Sequence, residues 1–237
     1  MVLSVDAPLD RRPPGAFHMR GRRSVVSRVD LTMLNKFARA FVTRLITPIA
    51  RALLRIGLTP DMVTIIGTLG TCFSALFFYS HGYFVWGTVA IAVFVIFDLL
   101  DGTMARVSGR SSNWGAFLDS TLDRFGDACV FGGLVLYYTR QPDGALTAWC
   151  ALACLVFGFV TSYARARAEG LGFGGANVGI AERADRLVVA MGATFLVGLF
   201  GWPDVVLTVI LGLLAAASAV TVAQRMLAVR AEMSAPR

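Results

Sequence analysis

Four aspartates lie close together in a stretch of otherwise apolar sequence. The stretch reads DLLDGTMARVSGRSSNWGAFLDSTLD, and its acids are Asp98, Asp101, Asp119 and Asp123. An ionised carboxylate is costly to hold in hydrocarbon, so four of them call for a compensating cation or a watery pocket. A divalent-metal site satisfies all four at once, and we therefore predict one here.

The spacing of these acids predicts that two helices present them. Asp98 and Asp101 are three residues apart and Asp119 and Asp123 are four apart, so each pair projects from one face of its helix. Two such helices side by side would form a set of oxygen ligands. Carboxylate oxygens suit magnesium or manganese, whereas zinc normally recruits histidine or cysteine, and both histidines are far away in sequence. The expected cofactor is Mg²⁺ or Mn²⁺.

Other residues around the aspartates could contact a ligand. Gly102 and Gly115 lack side chains at positions where a helix or a bulky ligand could approach closely, although helix packing alone would account for either glycine. Arg106 could neutralise a phosphate or pair with an aspartate. Asp127, one helical turn beyond the last of the four acids, could extend the polar face or pair with an arginine such as Arg124, in a supporting role.

The chain as a whole has the composition of a membrane protein. Of its 237 residues, 56% are hydrophobic and only 16% are charged, which is well outside the balance of a soluble domain. Six apolar stretches recur, at residues 62–78, 83–100, 129–138, 146–163, 187–202 and 205–222. With the third extended back through the aspartates, each reaches the ~20 residues that cross a ~30 Å hydrocarbon core. We predict an all-α integral membrane protein with six transmembrane helices.

Amphipathic and polar segments flank the apolar stretches. Residues 34–57 mix basic with large apolar residues and predict an interfacial amphipathic helix before the first span. Residues 1–33 are rich in proline and arginine and predict a mobile, basic cytoplasmic arm. Thr59 is expected to cap the first span, with Pro60 at its first helical position. The expected boundaries are 34–229 for the membrane domain, 61–229 for its six-helix bundle and 230–237 for a cytoplasmic tail.

Basic residues predict the orientation, because they are retained on the cytoplasmic side of a membrane. Of the 22 Lys and Arg residues, only Arg140 lies beside one of the short connections near residues 80–82, 141–144 and 201–204. We expect a multi-pass protein of the cell membrane with both termini and the aspartate-bearing ends in the cytoplasm. The net charge of +7 would hold that face against anionic membrane lipids. No basic groove with interleaved aromatic residues stands out, so no nucleic-acid partner is expected.

A second set of charges lies at the predicted cytoplasmic ends of the last three helices. Its members are Arg165, Arg167, Arg183, Arg186 and Arg225. Anchoring by the positive-inside rule is one interpretation. Arginines that extend from three helices toward one polyanionic cavity are also what a phosphorylated acceptor would require, and we favour that function for all of them except Arg183.

The aspartate stretch resembles the signature of the CDP-alcohol phosphotransferase family, D-x-x-D-G-x-x-A-R, a spacer, then G-x-x-x-D-x-x-x-D. All eight signature positions are filled, by Asp98, Asp101, Gly102, Ala105, Arg106, Gly115, Asp119 and Asp123. Six helices preceded by an interfacial helix agree with the same family, and the resemblance covers residues 34–229.

The resemblance implies an enzyme in which an alcohol displaces CMP from a CDP-linked lipid, on a divalent-metal site at the cytoplasmic leaflet. By that analogy Asp98, Asp101 and Asp119 are metal ligands, and Asp123 either completes the set or acts as the catalytic base for the incoming hydroxyl. The residues implied to bind CDP-diacylglycerol are Pro60, Asp61, Thr64, Gly102, Ala105, Arg106 and Gly115. For the first three, ordinary helix-start chemistry accounts for the residues equally well.

Within the family, the arginine segments look most like those of the actinobacterial phosphatidylinositol phosphate synthases, which join CDP-diacylglycerol to inositol phosphate. The acceptor phosphate would then contact Arg165, Arg167, Arg186 and Arg225, with Arg165 standing where a lysine is expected. A phosphatidylglycerophosphate synthase using glycerol 3-phosphate is the nearest alternative. A cation transporter is a distant one, because its acids should spread across the bilayer depth, and a structural scaffold gives no reason for the acids. The resemblance also implies a homodimer.

Overall fold

The structure, a computed structural model, describes residues 46–109, 112–174 and 176–234, and every regular element within these ranges is helical. The all-α prediction is thereby confirmed for this part of the chain. The predicted mobile arm and the first half of the predicted interfacial helix lie outside the described residues, as do residues 235–237 of the predicted tail. Of the interfacial helix, residues 46–55 are described and are helical; they form α1.

Six long helices follow, and each predicted stretch lies within one of them or overruns it by at most two residues. They are α2 (Pro60–Phe78, continued by a 3-10 turn at Tyr79–His81), α3 (Phe84–Ser108), α4 (Asn113–Tyr138), α5 (Ala145–Gly170), α6 (Arg183–Phe200) and α7 (Asp204–Ser234). Three of them extend well past the predicted stretches: α3 and α5 run on to Ser108 and Gly170, and α7 continues to Ser234, beyond the expected start of the tail.

Four of these helices are long and apolar enough to cross a membrane: α2, α3, α5 and α7. The other two carry more charge. Helix α4 contains Asp119, Asp123, Arg124 and Asp127, and the first turn of α6 contains Arg183, Asp185 and Arg186. The structure therefore supports four of the six predicted spans by length and composition.

Local sequence signals explain where the helices begin. The backbone N–H of Met62 donates to Thr59 Oγ1 at 3.3 Å, with Pro60 in the first turn, which confirms the predicted start of α2. Ser112 caps α4 in the same way, accepting from the N–H of Gly115 at 3.0 Å. At α6, Glu182 and Asp185 form a reciprocal capping box.

The helices alternate in direction, so the starts of α2, α4 and α6 lie at the same end of the bundle as the last turns of α3, α5 and α7. We call this the aspartate end. Helix α2 packs against both α3 and α4, whereas α5 packs against α7 and α4, and α6 packs against α3 and α7. The main core lies toward the opposite end. At the aspartate end, Ile46 and Ala50 of α1 pack on Val63, Leu100 and Met104.

Glycines allow α2 and α4 to approach closely. A Cβ built on Gly133 of α4 would lie 2.5 Å from the carbonyl oxygen of Ala75 in α2, which is backbone and cannot rotate away. A Cβ on the preceding residue, Gly132, would meet no atom within 4 Å. The absence of a side chain at position 133 therefore sets the distance between these two helices.

We expect Gly133→Ala to lower the thermal stability of the detergent-purified protein, by about 1–3 kcal/mol, because the added methyl group forces α4 away from α2. The matched control is Gly132→Ala, which enters open space and should leave stability unchanged or raise it slightly through higher helix propensity. Thermal unfolding followed by circular dichroism would measure both. Equal melting temperatures for the two variants would contradict the close packing.

Candidate active site

The four predicted aspartates gather at the aspartate end of α3 and α4. Asp119 lies within electrostatic range of Asp98, Asp101 and Asp123, and Asp98 is also within range of the other two. The two helices are not side by side as the sequence suggested: each packs against α2, and they have few direct contacts with each other. The carboxylates of α3 and those of α4 therefore lie on opposite sides of a space that α2 borders.

The acids of this site fit a hard cation by their chemistry, although they do not form a closed cage. In the ranges that the structure describes, no three Asp, Glu, His or Cys side chains converge at metal-ligand spacing. The available donors are carboxylate oxygens, as magnesium and manganese prefer. A Cβ on Gly102, the residue after Asp101, would meet no atom within 4 Å, so the helix surface at position 102 is open.

The start of α2 contacts the carboxylates directly. Asp101 is buried, and its Oδ2 accepts a hydrogen bond from Thr64 Oγ1, which also donates to the carbonyl oxygen of Pro60 at 3.1 Å. A Cβ on Gly115, at the start of α4, would lie 3.7 Å from Asp61 Oδ1. The predicted nucleotide residues of α2 and α4 are thus brought together beside the aspartates.

The remaining predicted nucleotide residues lie on the last turns of α3. Arg106 is exposed, and its Nη2 donates to Thr103 Oγ1 at 3.1 Å. Gly102 and Ala105 are half-buried one turn or less away. Together with the start of α2, these residues form an open rim around the carboxylates.

Asp123 is held by arginine. Its Oδ2 lies 2.9 Å from Arg183 Nη1 and 3.8 Å from Arg124 Nη2. Asp127 Oδ2 lies 3.2 Å from Arg124 Nη1, which confirms the predicted pairing of these two residues. Asp127 Oδ1 accepts from Arg183 Nε at 3.1 Å. Two acids of α4 therefore share one guanidinium of α6.

The sequence places Arg183 in the second set of charges but does not predict its contacts with Asp123 and Asp127. Arg183 is 60 residues from Asp123 in the chain, and its one signal was its place beside Arg186 at the start of the fifth apolar stretch. Basic residues at a helix end are explained equally well by membrane orientation, so the sequence alone could not assign this partner.

A small cavity of about 20 Å³ lies next to Asp98, Asp123 and Arg183. It has room for about one water molecule. Its other walls are mainly apolar side chains: Ile91, Val95, Val130, Leu187 and Met191. The charged groups therefore stand directly at the border of the apolar interior.

The four predicted acceptor arginines divide into exposed and buried pairs. Arg165 and Arg167 are exposed on the last turns of α5, and Arg165 Nε pairs with Glu169 Oε1 at 2.8 Å. Arg186 is only 2% exposed; its Nη1 donates to the carbonyl oxygen of Ala181 at 3.4 Å. Arg186 also lies against Gly158 of α5, where a Cβ would be 3.1 Å from Nη2.

Arg225 of α7 joins two other parts of the aspartate end. It is 5% exposed, with Nη1 donating to the carbonyl oxygen of Thr161 at 2.7 Å and Nε donating to that of Val178 at 2.9 Å. Arg165 lies within its electrostatic range. The structure thus places Arg225 near Arg165, whereas Arg186 lies within range of Arg124, Arg183 and Asp127.

Comparison with known proteins establishes the family to which this chain belongs. The profile of the CDP-alcohol phosphatidyltransferase family matches residues 57–174, which include all four aspartates. This chain belongs to that family, and the predicted resemblance is confirmed. With its apolar helices, it is a multi-pass membrane enzyme.

Individual members of the family are also similar to this chain. The phosphatidylinositol phosphate synthase of Streptomyces avermitilis is 47% identical over 217 residues, covering 90% of this chain and 88% of the relative. The crystal structure of the Mycobacterium tuberculosis phosphatidylinositol phosphate synthase with CDP-DAG bound is similar at a TM-score of 0.75 and 41% identity, over 78% of this chain and 94% of that one. The same enzyme in complex with manganese and citrate gives a TM-score of 0.74 at 41% identity, over 78% and 88% of the two chains.

We expect Thr64→Val to destabilise the enzyme by about 1–3 kcal/mol, because the buried carboxylate of Asp101 loses its hydroxyl donor. Thr194→Val is the matched control: Thr194 is buried and donates only within its own helix, to the carbonyl oxygen of Ala190 at 2.7 Å. Thermal unfolding of both purified variants would measure the difference. The contact with Asp101 would have no energetic importance if the two substitutions cost the same.

Proposed function

We propose that this enzyme transfers the phosphatidyl group of CDP-diacylglycerol to a hydroxyl of inositol phosphate and releases CMP. The observation that carries the proposal is the convergence of the signature aspartates with the start of α2, in a chain 47% identical to a phosphatidylinositol phosphate synthase over 90% of its length. The bound CDP-DAG in a structure of similar fold supports the same donor.

The donor would lie on the rim formed by α2, α3 and α4. The residues that would hold its nucleotide and diphosphate are Pro60, Asp61, Thr64, Gly102, Ala105, Arg106 and Gly115. Two observations support this set: a Cβ on Gly115 would lie only 3.7 Å from Asp61 Oδ1, which places the two residues close together, and a Cβ on Gly102 would meet no atom within 4 Å. The exposed guanidinium of Arg106 can pair with a phosphate.

We assign the divalent cation, Mg²⁺ or Mn²⁺, to Asp98, Asp101 and Asp119, with Asp123 as a further ligand or as the base. When bound, the cation would neutralise the diphosphate and stabilise charge that develops on the leaving CMP. The manganese complex of a similar enzyme supports a divalent ion.

The reaction breaks the phosphoanhydride bond of the donor and forms a phosphoester bond to the acceptor. Asp123 would accept the proton of an inositol hydroxyl as its oxygen attacks the phosphorus that carries diacylglycerol. A new oxygen–phosphorus bond forms while the bond from that phosphorus to the bridging oxygen of CMP breaks, with the two oxygens in line. At the proposed cytoplasmic end of the spanning helices, the site would receive the lipid from the bilayer and the soluble alcohol from the cytoplasm.

The acceptor phosphate would lie toward the arginines of α5, α6 and α7. Arg165 and Arg167 are exposed and can contact a phosphate directly. Arg186 and Arg225 are buried against backbone carbonyl oxygens, so they would contribute positive potential and would reach the phosphate by exchanging those bonds. Glycerol 3-phosphate, as in a phosphatidylglycerophosphate synthase, is the alternative acceptor.

The membrane arrangement belongs to the same proposal. We infer six spanning helices, with the aspartate end and both termini in the cytoplasm and α1 at the membrane interface. Arg51 and Arg55 of α1 are exposed together with Ile49 and Ile56, as an interfacial helix requires. The enzyme is proposed to work as a homodimer.

The acceptor can be identified by measuring CMP release from CDP-diacylglycerol with purified enzyme and Mg²⁺ or Mn²⁺. We expect release with inositol phosphate, little with unphosphorylated inositol, and loss of release on chelation with EDTA that added Mn²⁺ restores. Product formed only with glycerol 3-phosphate would overturn the acceptor assignment while leaving the reaction class intact.

We expect Asp123→Asn to lower kcat by about 10²–10⁴-fold, the usual contribution of a positioned base. Asp143→Asn is the control, because Asp143 is exposed in the turn between α4 and α5 at the opposite end of the bundle. Full activity of Asp123→Asn would exclude the assigned base. A manganese flux into vesicles that Asp98→Asn abolished, with CMP release intact, would instead identify a transporter.

A further inference from the structure

Asp127 is a buried acid outside the eight signature positions. Its side chain is 5% exposed, and both of its oxygens are paired: Oδ1 accepts from Arg183 Nε at 3.1 Å, and Oδ2 lies 3.2 Å from Arg124 Nη1. Arg186 is also within electrostatic range of Asp127. One buried carboxylate is therefore paired with two guanidinium groups, on α4 and α6, and lies near a third.

The two arginines that Asp127 holds also contact Asp123. Arg183 reaches Asp123 Oδ2 with Nη1 at 2.9 Å while its Nε stays on Asp127, so one planar guanidinium spans both acids. Arg124 Nη2 lies 3.8 Å from the same oxygen of Asp123. The position of the Asp123 carboxylate is therefore defined by groups that Asp127 orients.

The arrangement is fixed from outside α4 as well. Arg124 Nη1 donates to the hydroxyl of Ser162 on α5, and Arg183 stands in the first turn of α6, next to the Glu182–Asp185 capping box. A guanidinium held by two carboxylates loses most of its freedom, and charge-assisted bonds of this kind are the stronger ones. Such a network is rigid only while each member keeps its partner.

We propose that Asp127 is a positioning residue, which holds Arg183 and Arg124 so that they fix the Asp123 carboxylate toward the acceptor hydroxyl. This inference rests on the proposed function, in which Asp123 accepts the hydroxyl proton. Two alternative roles lead to different kinetic results. In one, Asp127 merely balances buried charge; in the other, Arg183 is a ligand of the acceptor phosphate.

The first test is a kinetic comparison of Asp127→Asn and Arg183→Lys with the unchanged enzyme. Asparagine keeps the shape of Asp127 but presents an amide to one of the arginines, and lysine keeps the charge of Arg183 but cannot span two acids. We expect kcat to fall about 10–100-fold in each, as a small displacement of a catalytic group does, with both KM values within about twofold. A raised KM for inositol phosphate at unchanged kcat would overturn the proposal in favour of a phosphate ligand.

The second test separates positioning from charge balance. The double variant Asp127→Asn with Arg183→Gln removes one charge of each sign, so we expect it to regain melting temperature lost by Asp127→Asn. Its kcat should stay as low as that of the single variant, because Asp123 then lacks its charged bond to Arg183 and Arg124 lacks the carboxylate that orients it. Recovery of kcat together with stability would overturn the proposal, since charge balance alone would then suffice. Arg230→Gln, an exposed arginine near the end of α7, is the control.

These outcomes are distinguishable from failure of the proposed function. If the unchanged enzyme uses glycerol 3-phosphate instead, the same kcat and KM comparison is made with that acceptor. Size-exclusion chromatography and stabilisation by added CDP-diacylglycerol would show that each variant is folded. If Asp127→Asn does not fold, Arg183→Lys carries the test, and unchanged kcat in that variant would contradict the proposal.

Discussion

Repulsion among carboxylates at the border of an apolar bundle is the constraint from which the rest of the site follows. Asp119 lies within electrostatic range of Asp98, Asp101 and Asp123, and Asp98 lies within range of the other two. Water cannot screen them from the side of the helix interior, where the neighbouring cavity is lined mainly by apolar groups. Arg183 pairs with Asp123, and the Thr64 hydroxyl donates to Asp101, so both helices of the carboxylate cluster have a partner for one of their acids.

Helix α2 provides the spacing that this arrangement needs. Because α3 and α4 each pack on α2 and have few direct contacts with each other, the gap between the two carboxylate pairs depends on how closely each approaches α2. Gly133 brings α4 against Ala75, and Thr64 bonds directly to Asp101 of α3. The packing of α2 against its two neighbours thus determines both the core of the bundle and the distance between the carboxylate pairs.

Much of this could be predicted from sequence because it depends on local spacing. Helix positions follow from apolar stretches, the start of α2 from Thr59 and Pro60, and the sharing of a face by Asp98 and Asp101 from helical periodicity. The pairing of Asp127 with Arg124 is likewise local, three residues apart. The eight signature positions add the reaction class, which spacing alone would not give.

What could not be predicted depends on which helices are neighbours. The contact of Arg183 with Asp123 joins residues 60 apart in the chain. The burial of Arg186 and Arg225 could not be foreseen, because arginines at helix ends are ordinarily exposed and positive-inside anchoring explains them equally well. The separation of α3 from α4 could not be predicted either, because periodicity indicates which face of a helix is polar but not which helix it packs against.

Arg225 connects α7 to two segments that carry none of the four aspartates. By bonding to the carbonyl oxygens of Thr161 and Val178, it ties the last helix to α5 and to the segment before α6, and none of its hydrogen bonds in the described ranges reaches α3 or α4. The family profile ends at residue 174, before this segment. Changes in this segment can therefore reshape the surface around Arg225, whereas Arg183, in the first turn of α6, is held by its contacts with Asp123 and Asp127. Evolution toward a new alcohol would be easier in that segment than at the start of α6.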